Sequence, residues 1–269
     1  MINLMVPRYP RKECIVSSKA NYGNWVPQGI VFLSLAASVL LFIPTLFLDH
    51  SLAKGILYVA SALCLLFFLY LQYVYYLLGR DGGQIQEQFY RLILGKLPWQ
   101  GHGRALDIGT GNGALAIELA RAFPTAEVVG VDLWGKPWTY AQEACERNAA
   151  LEGVADRVSF IRTGAESLAF DDEYFDAVVS NFVFHSIPTH ERLALLREAL
   201  RVLKVGGHFA FQDLFNDQFY HDPENLDREL QSWGLHDVHL VMSEAHIQVP
   251  RALQLKHMLG GSAVLFGTK

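Results

Sequence analysis

Three glycines at alternating positions, with an acidic residue just before them, indicate a ligand site more directly than any other part of this sequence. An apolar run leads to Asp107, and Gly109, Gly111 and Gly113 follow it. This pattern predicts a buried strand that turns tightly into a helix, with bare backbone that a ligand can approach closely. A carboxylate beside the turn would repel a pyrophosphate, so the spacing favours a phosphate-free or cationic ligand over a dinucleotide.

A second acidic residue, Asp132, ends the next apolar run at residues 128–131. An acid at the end of the second strand of a parallel sheet is well placed to accept hydrogen bonds from two ribose hydroxyls. The same residue could instead end the strand or cap a helix without touching a ligand. Because it follows the glycine loop at the spacing of a nucleotide site, we predict the ribose role.

Strand and helix patterns alternate from residue 104 onwards, which predicts βαβ units and a doubly wound α/β sheet with helices on both faces. Ligands of such sheets bind beyond the carboxyl ends of the strands, where the glycine loop lies. The strands are predicted at residues 105–108, 127–131, 158–162, 177–180, 208–212, 238–242 and 263–267. Helices are predicted at 84–97, 114–122, 138–151, 191–203 and 223–233. The last two strands favour a hairpin-like end of the sheet, with a short amphipathic helix between them at 250–259.

Composition excludes several classes of function. The chain has 269 residues, a formal net charge of −5 and 51% hydrophobic residues, and this acidic balance argues against nucleic acid as a partner. Cys14, Cys64 and Cys145 are far apart and form no CxxC, and the histidines show no metal-ligand spacing. We therefore predict neither a disulfide framework nor a metal site, and reduced thiols fit a cytoplasmic domain.

The hydrophobic residues are concentrated in two uncharged runs near the N-terminus. Residues 20–48 and 55–79 carry no charged side chain, and each apolar core is long enough to cross a bilayer as a helix. We predict a transmembrane hairpin with helices near 29–48 and 52–78 and a kink at Pro44. The alternatives are a helical hairpin buried in a soluble protein, and a signal peptide, which the late start and the missing Ala-x-Ala site disfavour.

Positive charge flanks one side of this hairpin. Lys54 is the one basic residue of the connecting loop, whereas basic residues precede and follow the helices: Arg8, Arg11, Lys12, Lys19, Arg80, Arg91, Lys96 and Arg104. The positive-inside rule therefore predicts a two-pass membrane protein with a cytoplasmic N-terminus and a cytoplasmic C-terminal domain. An aromatic belt is expected on the same side from Tyr22, Trp25, Tyr73, Tyr75 and Tyr76. The predicted organisation is a tail at 1–25, a hairpin at 26–79, a connecting helix and linker at 80–103, and a catalytic domain at 104–269.

Residues 104–213 resemble the class I S-adenosylmethionine-dependent methyltransferases, especially the branch similar to ubiquinone and menaquinone biosynthesis methyltransferases. The resemblance rests on segments that follow one another in family order: 106–113, Asp132, 164–170, 175–181 and 197–207. It implies a Rossmann-like, seven-stranded, mostly parallel sheet, S-adenosylmethionine as the cofactor, and transfer of the cofactor's methyl group to an acceptor. It covers neither the hairpin nor the identity of that acceptor.

The resemblance also implies which residues hold the cofactor. Asp107 would lie near the methionine ammonium, the backbone of Gly109 and Gly111 would approach the methionyl portion, and Asp132 would bind the ribose. The full expected set is Asp107, Gly109, Thr110, Gly111, Asn112, Gly113, Asp132, Leu133, Trp134, Ala165, Glu166 and Asn181.

One position departs from the family pattern. Gly164 stands where the family often has an aspartate that accepts from the adenine amino group. Either Glu166 or a backbone group takes over that role, or the adenine is held mainly by packing. Leu133 could pack on the adenine face, and Trp134 could either stack on it or belong to the core.

His185 is the candidate general base, because it follows the fourth predicted strand at the edge where the methyl group would face the acceptor. The alternative is a loop histidine that only shapes the pocket, and Asp213, after the fifth strand, reads as a helix cap. The acceptor side is expected to be apolar because of Phe182, Phe184, Phe215, Phe219 and Tyr220, although most of these side chains are expected in the core. Residues 250–259 could cover this pocket.

Together these features predict a membrane-anchored methyltransferase that acts on a small lipophilic or membrane-resident acceptor. Its expected partners are the lipid bilayer and that acceptor, and the transmembrane helices could also mediate oligomerisation. Two other functions stay open: a non-catalytic sensor that binds S-adenosylmethionine, and a nicotinamide-dependent oxidoreductase, which the glycine spacing and Asp107 disfavour.

Overall fold

Seven strands form one mixed sheet in the C-terminal two thirds of the chain. The computed structural model describes residues 19–135, 140–189, 191–220, 226–256 and 258–269. The strands are β1 (Gly103–Ile108), β2 (Ala126–Asp132), β3 (Val158–Arg162), β4 (Phe175–Asn181), β5 (Leu203–Leu214), β6 (His236–Met242) and β7 (Ser262–Thr268). Each strand predicted from the sequence is therefore confirmed, with ends that extend by up to a few residues.

The strand order β3-β2-β1-β4-β5-β7-β6 is that of a doubly wound sheet. The first five strands pair in parallel, and β7 lies antiparallel between β5 and β6. The hairpin-like end is thus confirmed, since β6 and β7 are antiparallel neighbours. The order reverses at β1, so the connections that leave β1 and β4 pass to opposite sides and open a crevice at their carboxyl ends.

Helices cover both faces of this sheet, as parallel pairing requires. They include α4 (Ala114–Ala122), α5 (Gln142–Leu151), α6 (Arg192–Arg201) and α7 (Leu226–Ser232), and three further helices, α1 to α3, precede the sheet. Neighbouring strand residues point to opposite faces: Val178 joins the core layer with α6 and α7, and Val179 joins the layer with α4 and α5. The first residues of the predicted helices at 138–151 and 223–233 lie partly outside the described residues.

The predicted amphipathic helix at 250–259 is wrong. Only Arg251–Leu253 forms a single 3₁₀ turn there, and backbone turns follow it within the described residues. The amide of Leu259 donates to the carbonyl of Leu253 at 3.0 Å, and that of Gly260 donates to Leu255 at 2.9 Å. These bonds reach back farther than a helical bond does, so the segment folds over on itself and packs its apolar residues against the rest of the protein.

Two apolar helices precede the sheet. They are α1 (Gln28–Phe42), which continues into a short 3₁₀ helix at Ile43–Leu46, and α2 (Ser51–Leu78). Pro44 stands in the first turn of the 3₁₀ helix, so it ends α1 instead of kinking it. The two helices pack on each other, and the hydroxyls of Ser38 and Ser61 donate to each other's backbone carbonyls at 3.0 and 2.9 Å.

The helix α3 (Ile85–Lys96) connects α2 to the sheet. Its apolar face is fully buried: Phe89 packs with the end of α2, and Ile93 packs in the core layer that also contains α4. The predicted helix at 84–97 that lies against the following domain is therefore confirmed. Through α3, the N-terminal helices and the sheet share buried apolar contacts.

We expect Ile93→Ala to lower the free energy of unfolding by about 3 kcal/mol, because it leaves a cavity in a fully buried position. Arg91→Ala on the same helix is the matched control. Its side chain is 72% exposed, so its removal should change stability by less than about 0.5 kcal/mol. Denaturant unfolding of the full chain, followed by tryptophan fluorescence, measures both. Equal effects of the two substitutions would contradict the docking of α3.

Candidate functional site

A cavity of about 760 Å³ lies at the carboxyl edge of the sheet. The glycine loop after β1, the ends of β2 and β4, and the loop after β3 line one part of it. The predicted site residues that it brings together are Asp107, Gly109, Thr110, Gly111, Asn112, Asp132, Leu133, Trp134, Ala165, Glu166, Asn181 and His185. Residues from four separate connections thus meet around one space.

Gly113 was also predicted in the site, but it does not line the cavity. It precedes α4 with φ +82°, and a Cβ there would lie 3.0 Å from the ring of Phe160. Gly113 is therefore needed for the start of the helix and for packing, not for the cavity lining. Gly109, with φ +71°, is restricted by the side chain of Val183, which a Cβ would overlap.

Asp107 is buried beneath the glycine loop. Its Oδ2 accepts from the hydroxyl of Thr110 at 2.7 Å and from the amide of Ala116 at 3.0 Å. Burial raises the pKa of Asp107 to about 7, although both hydrogen bonds favour the charged form. The carboxyl group is therefore poised to become an anion when a cation such as an ammonium group approaches it.

Asp132 connects the end of β2 to the glycine loop. Its Oδ2 accepts from the amide of Gly111 at 3.0 Å, and its Oδ1 accepts from the amide of Trp134 at 2.8 Å. The indole N–H of Trp134 donates to the carbonyl of Gly111 at 2.7 Å, and the ring is 8% exposed. Trp134 was expected either to stack on the adenine or to belong to the core. It lies in the core layer around α4 and α5 and forms part of the cavity wall.

The loop after β3 explains the glycine that departs from the family pattern. A Cβ on Gly164 would lie 2.7 Å from Oε2 of Glu166, and the methyl groups of Leu133 are 3.7 and 3.8 Å from the same point. The carboxylate of Glu166 thus occupies the space into which a side chain at 164 would extend. The family pattern has an acidic group at position 164, and in this chain Glu166 supplies the acidic group at the same wall.

His185 and Asp213 form a hydrogen-bonded pair, which corrects the expectation that Asp213 caps a helix. Nδ1 of His185 lies 2.6 Å from Oδ1 of Asp213, and the His185 amide donates to Oδ2 at 3.2 Å. Asp213 is fully buried and also accepts from the amide of Leu214 at 2.7 Å. The carboxylate therefore keeps the proton on Nδ1, and Nε2 is the ring nitrogen that can accept a proton.

Asn181 contains a buried acceptor that has no partner among the described residues. Its Oδ1 is inaccessible and makes no hydrogen bond, and the residue lines the cavity at the end of β4. An unpaired buried acceptor costs free energy unless a ligand supplies a donor. Asn181 Oδ1 is therefore a candidate acceptor for a donor-bearing ligand beside the glycine loop.

The predicted aromatic cluster divides into two groups. Phe182 lines the cavity, and Phe219 packs its ring 5.6 Å from that of His185. Phe184, Phe215 and Tyr220 belong to the core layer beneath α6 and α7, as was expected for most of the five side chains. The apolar part of the cavity is supplied instead by Trp25, Val26 and Leu78, and by Leu253, Met258 and Leu259 from the segment that was expected to cover the pocket.

A strap, residues 20–26, crosses the cofactor side of the cavity, and none of its residues was predicted to line the site. Asn148 on α5 exchanges two hydrogen bonds of 2.9 Å with the backbone of Asn21, and it also donates to the carbonyl of Asn112 at 2.9 Å. At the other end of the strap, Asn24 donates to the backbone carbonyl of Tyr75 in α2 at 2.8 Å. The strap therefore connects the glycine loop to the end of α2, and its residues Tyr22, Trp25 and Val26 line the cavity.

The sheet order, the glycine turn after β1 and the acid at the end of β2 define a class I, Rossmann-like methyltransferase fold, for which S-adenosylmethionine is the cofactor. Residues 106–211 match the family described as "Methyltransferase domain". This part of the chain therefore matches a methyltransferase domain, in agreement with the resemblance.

A curated relative gives the same assignment. The chain is 29% identical over 142 residues to the ubiquinone/menaquinone biosynthesis C-methyltransferase UbiE of Bartonella tribocorum, an alignment that covers 52% of this chain and 51% of the relative. The chain thus spans about half the length of the curated relatives it matches first.

Two solved structures share the fold. The [4+2]-cyclase SpnF superposes with a TM-score of 0.52 at 21% identity, over 69% of this chain and 82% of that chain. Geranyl diphosphate C-methyltransferase from Streptomyces coelicolor, crystallised with S-adenosyl-L-homocysteine, superposes with a TM-score of 0.50 at 15% identity, over 69% and 80%. At these identities the similarity shows the fold alone, and a cyclase and a methyltransferase both have it.

We expect Asp132→Ala to weaken binding of S-adenosylmethionine by about tenfold or more, because the ribose loses its acceptor and the glycine loop loses a support. Glu127→Ala, an exposed position on the same strand, is the matched control and should leave the affinity unchanged. Titration calorimetry on both variants, after their melting temperatures have been compared, measures the effect. Wild-type affinity in Asp132→Ala would rule out the ribose role.

The pKa of Asp107 predicts a pH effect on stability. Because the folded-state pKa of about 7 exceeds the ordinary value of 3.8, the stabilisation is complete at low pH and is lost as the pH rises through 7. Between about pH 6 and pH 8 the cofactor-free protein should lose about 1 kcal/mol from this group. Asp107→Asn keeps an oxygen acceptor for Thr110 and Ala116 but does not titrate. Unfolding of both proteins at both pH values should show this loss in the wild type alone.

Proposed function

We propose that this chain is a membrane-anchored, S-adenosylmethionine-dependent methyltransferase with a small lipophilic acceptor. One observation carries the proposal: a single cavity has acidic and amide groups at the glycine loop and apolar side chains at its other end, beside α2. The first part suits a polar, cationic cofactor, and the second suits an acceptor of low polarity. The catalytic domain would comprise residues 104–269, with 80–103 connecting it to the hairpin at 26–79.

The cofactor would lie along the glycine loop. When bound, S-adenosylmethionine supplies an electrophilic methyl group on a sulfonium centre. Asp107 and the unpaired Oδ1 of Asn181 would accept from the methionine ammonium, and Asp132 would accept from the ribose hydroxyls. Leu133 would pack on the adenine and Glu166 would accept from its amino group. These contacts would align the reacting atoms and exclude water, which can supply much of the acceleration of an in-line displacement.

His185 would remove a proton from an acceptor that must lose one. Asp213 holds its ring by Nδ1, so Nε2 is available to accept that proton. The ring has aromatic neighbours on two sides, Phe182 at 6.1 Å and Phe219 at 5.6 Å between ring centroids. These contacts hold the imidazole at the boundary between the cofactor part and the apolar part of the cavity.

The membrane anchor would be formed by α1 and α2. Spans of 19 and 28 residues, Gln28–Leu46 and Ser51–Leu78, are long and apolar enough to cross a bilayer, and only 22% and 6% of their most apolar windows are buried. A core helix of a soluble protein would be mostly buried, so this exposure favours the bilayer. The basic residues on both flanks favour a cytoplasmic catalytic domain.

The charge of the cavity lining limits the chemistry of the acceptor. Among the described residues that line it there is no lysine or arginine, whereas Asp107, Asp132 and Glu166 are acidic. The described lining residues would therefore offer a phosphate or diphosphate in the acceptor no lysine or arginine as a counter-charge. We infer an acceptor without phosphate, such as a quinone or isoprenoid precursor, a phenol, an amine or a thiol, and the name of the UbiE relative is consistent with the first of these.

Transfer of isotopically labelled methyl groups tests this function. Membranes from cells that make the full chain are washed at alkaline pH, incubated with methyl-labelled S-adenosylmethionine, and extracted for lipids. We expect the chain to stay in the washed membranes and to label a lipid that is heavier by one methylene unit. Binding of the cofactor without label transfer would indicate the sensor instead.

His185→Ala tests the base in the same assay. It should lower kcat by about a hundredfold while the cofactor dissociation constant stays at the wild-type value. His246→Ala removes an exposed histidine far along the chain and serves as the matched control, with wild-type kcat expected. If both variants retain wild-type kcat, His185 only shapes the cavity.

A further inference from the structure

We propose that the apolar end of the cavity is a binding site for the hydrocarbon tail of the acceptor, and that the membrane helix α2 forms one wall of this site. The inference rests on the proposed function, because it assigns a tail to the acceptor of that same cavity. We call the site the tail chamber and define it by Trp25, Val26, Leu78, Leu253, Met258 and Leu259, all of which line the cavity.

The walls of the tail chamber come from three separate parts of the chain. The strap supplies Trp25 and Val26, the last turn of α2 supplies Leu78, and the segment between β6 and β7 supplies the remaining three residues. They belong to the apolar cluster in which Val74 and Phe89 are completely buried. The chamber therefore exists only where the membrane hairpin and the catalytic domain meet.

Aromatic contacts connect the tail chamber to the reacting end of the cavity. The ring of Trp25 meets that of Phe182 at 5.0 Å between centroids, and Phe182 meets His185 at 6.1 Å. An acceptor whose reactive group lies at His185 would thus extend its remaining atoms past Phe182 into the chamber. Five of the six chamber residues are aliphatic or thioether side chains and the sixth is the indole of Trp25, so a hydrocarbon is the group that this space suits.

The segment between β6 and β7 also packs along α2 towards the hairpin. The hydroxyl of Tyr70 donates to the carbonyl of Ala252 at 2.7 Å and lies 3.2 Å from Sδ of Met258. Tyr70 precedes Leu78 by eight residues, which is about 12 Å along the helix axis. The segment between β6 and β7 therefore follows α2 over two turns, so the wall of the chamber is fixed to the helix whose other side chains are exposed and apolar.

Photolabelling of the full chain in phosphatidylcholine vesicles tests the tail chamber without requiring turnover. Two probes carry a diazirine at the end of the hydrocarbon: a farnesol analogue, which stands for an acceptor tail, and a phosphatidylcholine, which stands for bulk lipid. Both should label α1 and α2, which provides an internal reference. The farnesol analogue alone should label residues 249–259. Equal labelling of that segment by both probes, or none by either, would overturn the proposal.

Substitutions on the same segment give the matched comparison. Met258→Trp fills the chamber and should lower farnesol labelling of residues 249–259 by about tenfold at subsaturating probe, as loss of about two buried methylenes would. Leu255→Trp adds the same ring at a position that is 46% exposed and should change labelling by less than about twofold. If Met258→Trp melts early, Val26→Trp fills the chamber from the strap. Labelling that stays at the wild-type level in the folded filling variant sinks the proposal.

Absent methyl transfer with intact, chamber-dependent labelling would refute the proposed function and leave the hydrocarbon site standing. Methyl transfer with labelling confined to α1 and α2 would refute the tail chamber and leave the enzyme standing. The two assays therefore distinguish failure of the proposed function from failure of the tail chamber.

Discussion

Parallel pairing of β1 with its neighbours is the constraint on which the cavity depends. Parallel strands present their carboxyl ends at one edge, and the reversal of strand order at β1 opens a crevice there. Asp132, Asn181 and Asp213 lie at or near the ends of three strands in this set. Residues far apart in the chain meet at one edge because the register of the parallel strands aligns their carboxyl ends.

The acids at this edge also support the fold. Asp132 accepts from two backbone amides, and Asp107 accepts from a hydroxyl and an amide, so each helps to hold the glycine turn in its left-handed geometry. Burying a carboxyl group is costly, and these hydrogen bonds offset part of that cost. Loss of either acid would thus disturb the shape of the loop as well as any contact with a ligand.

Hydrogen bonds and an apolar cluster connect the hairpin of α1 and α2 to the rest of the chain. Asn148 connects the glycine loop to the strap, Asn24 connects the strap to α2, and Tyr70 connects α2 to the segment between β6 and β7. Each is a specific hydrogen bond between segments more than 35 residues apart, and the apolar cluster around Phe89 fills the space between them. These contacts make α1 and α2 part of the same packed structure as the sheet.

Local sequence patterns predicted the succession of strands and helices and the polar residues of the candidate site, because buried parallel strands form apolar runs and acids follow their ends. Four features were visible only in the folded chain: Asp213 hydrogen-bonds His185, Glu166 occupies the space beside Gly164, the described residues of 250–259 form turns instead of a helix, and the strap lines the cavity. The two kinds of feature differ in how far apart in the chain the interacting residues are. Periodicity and turn chemistry act over a few neighbouring residues, whereas these contacts join distant segments whose proximity exists only after the sheet has formed.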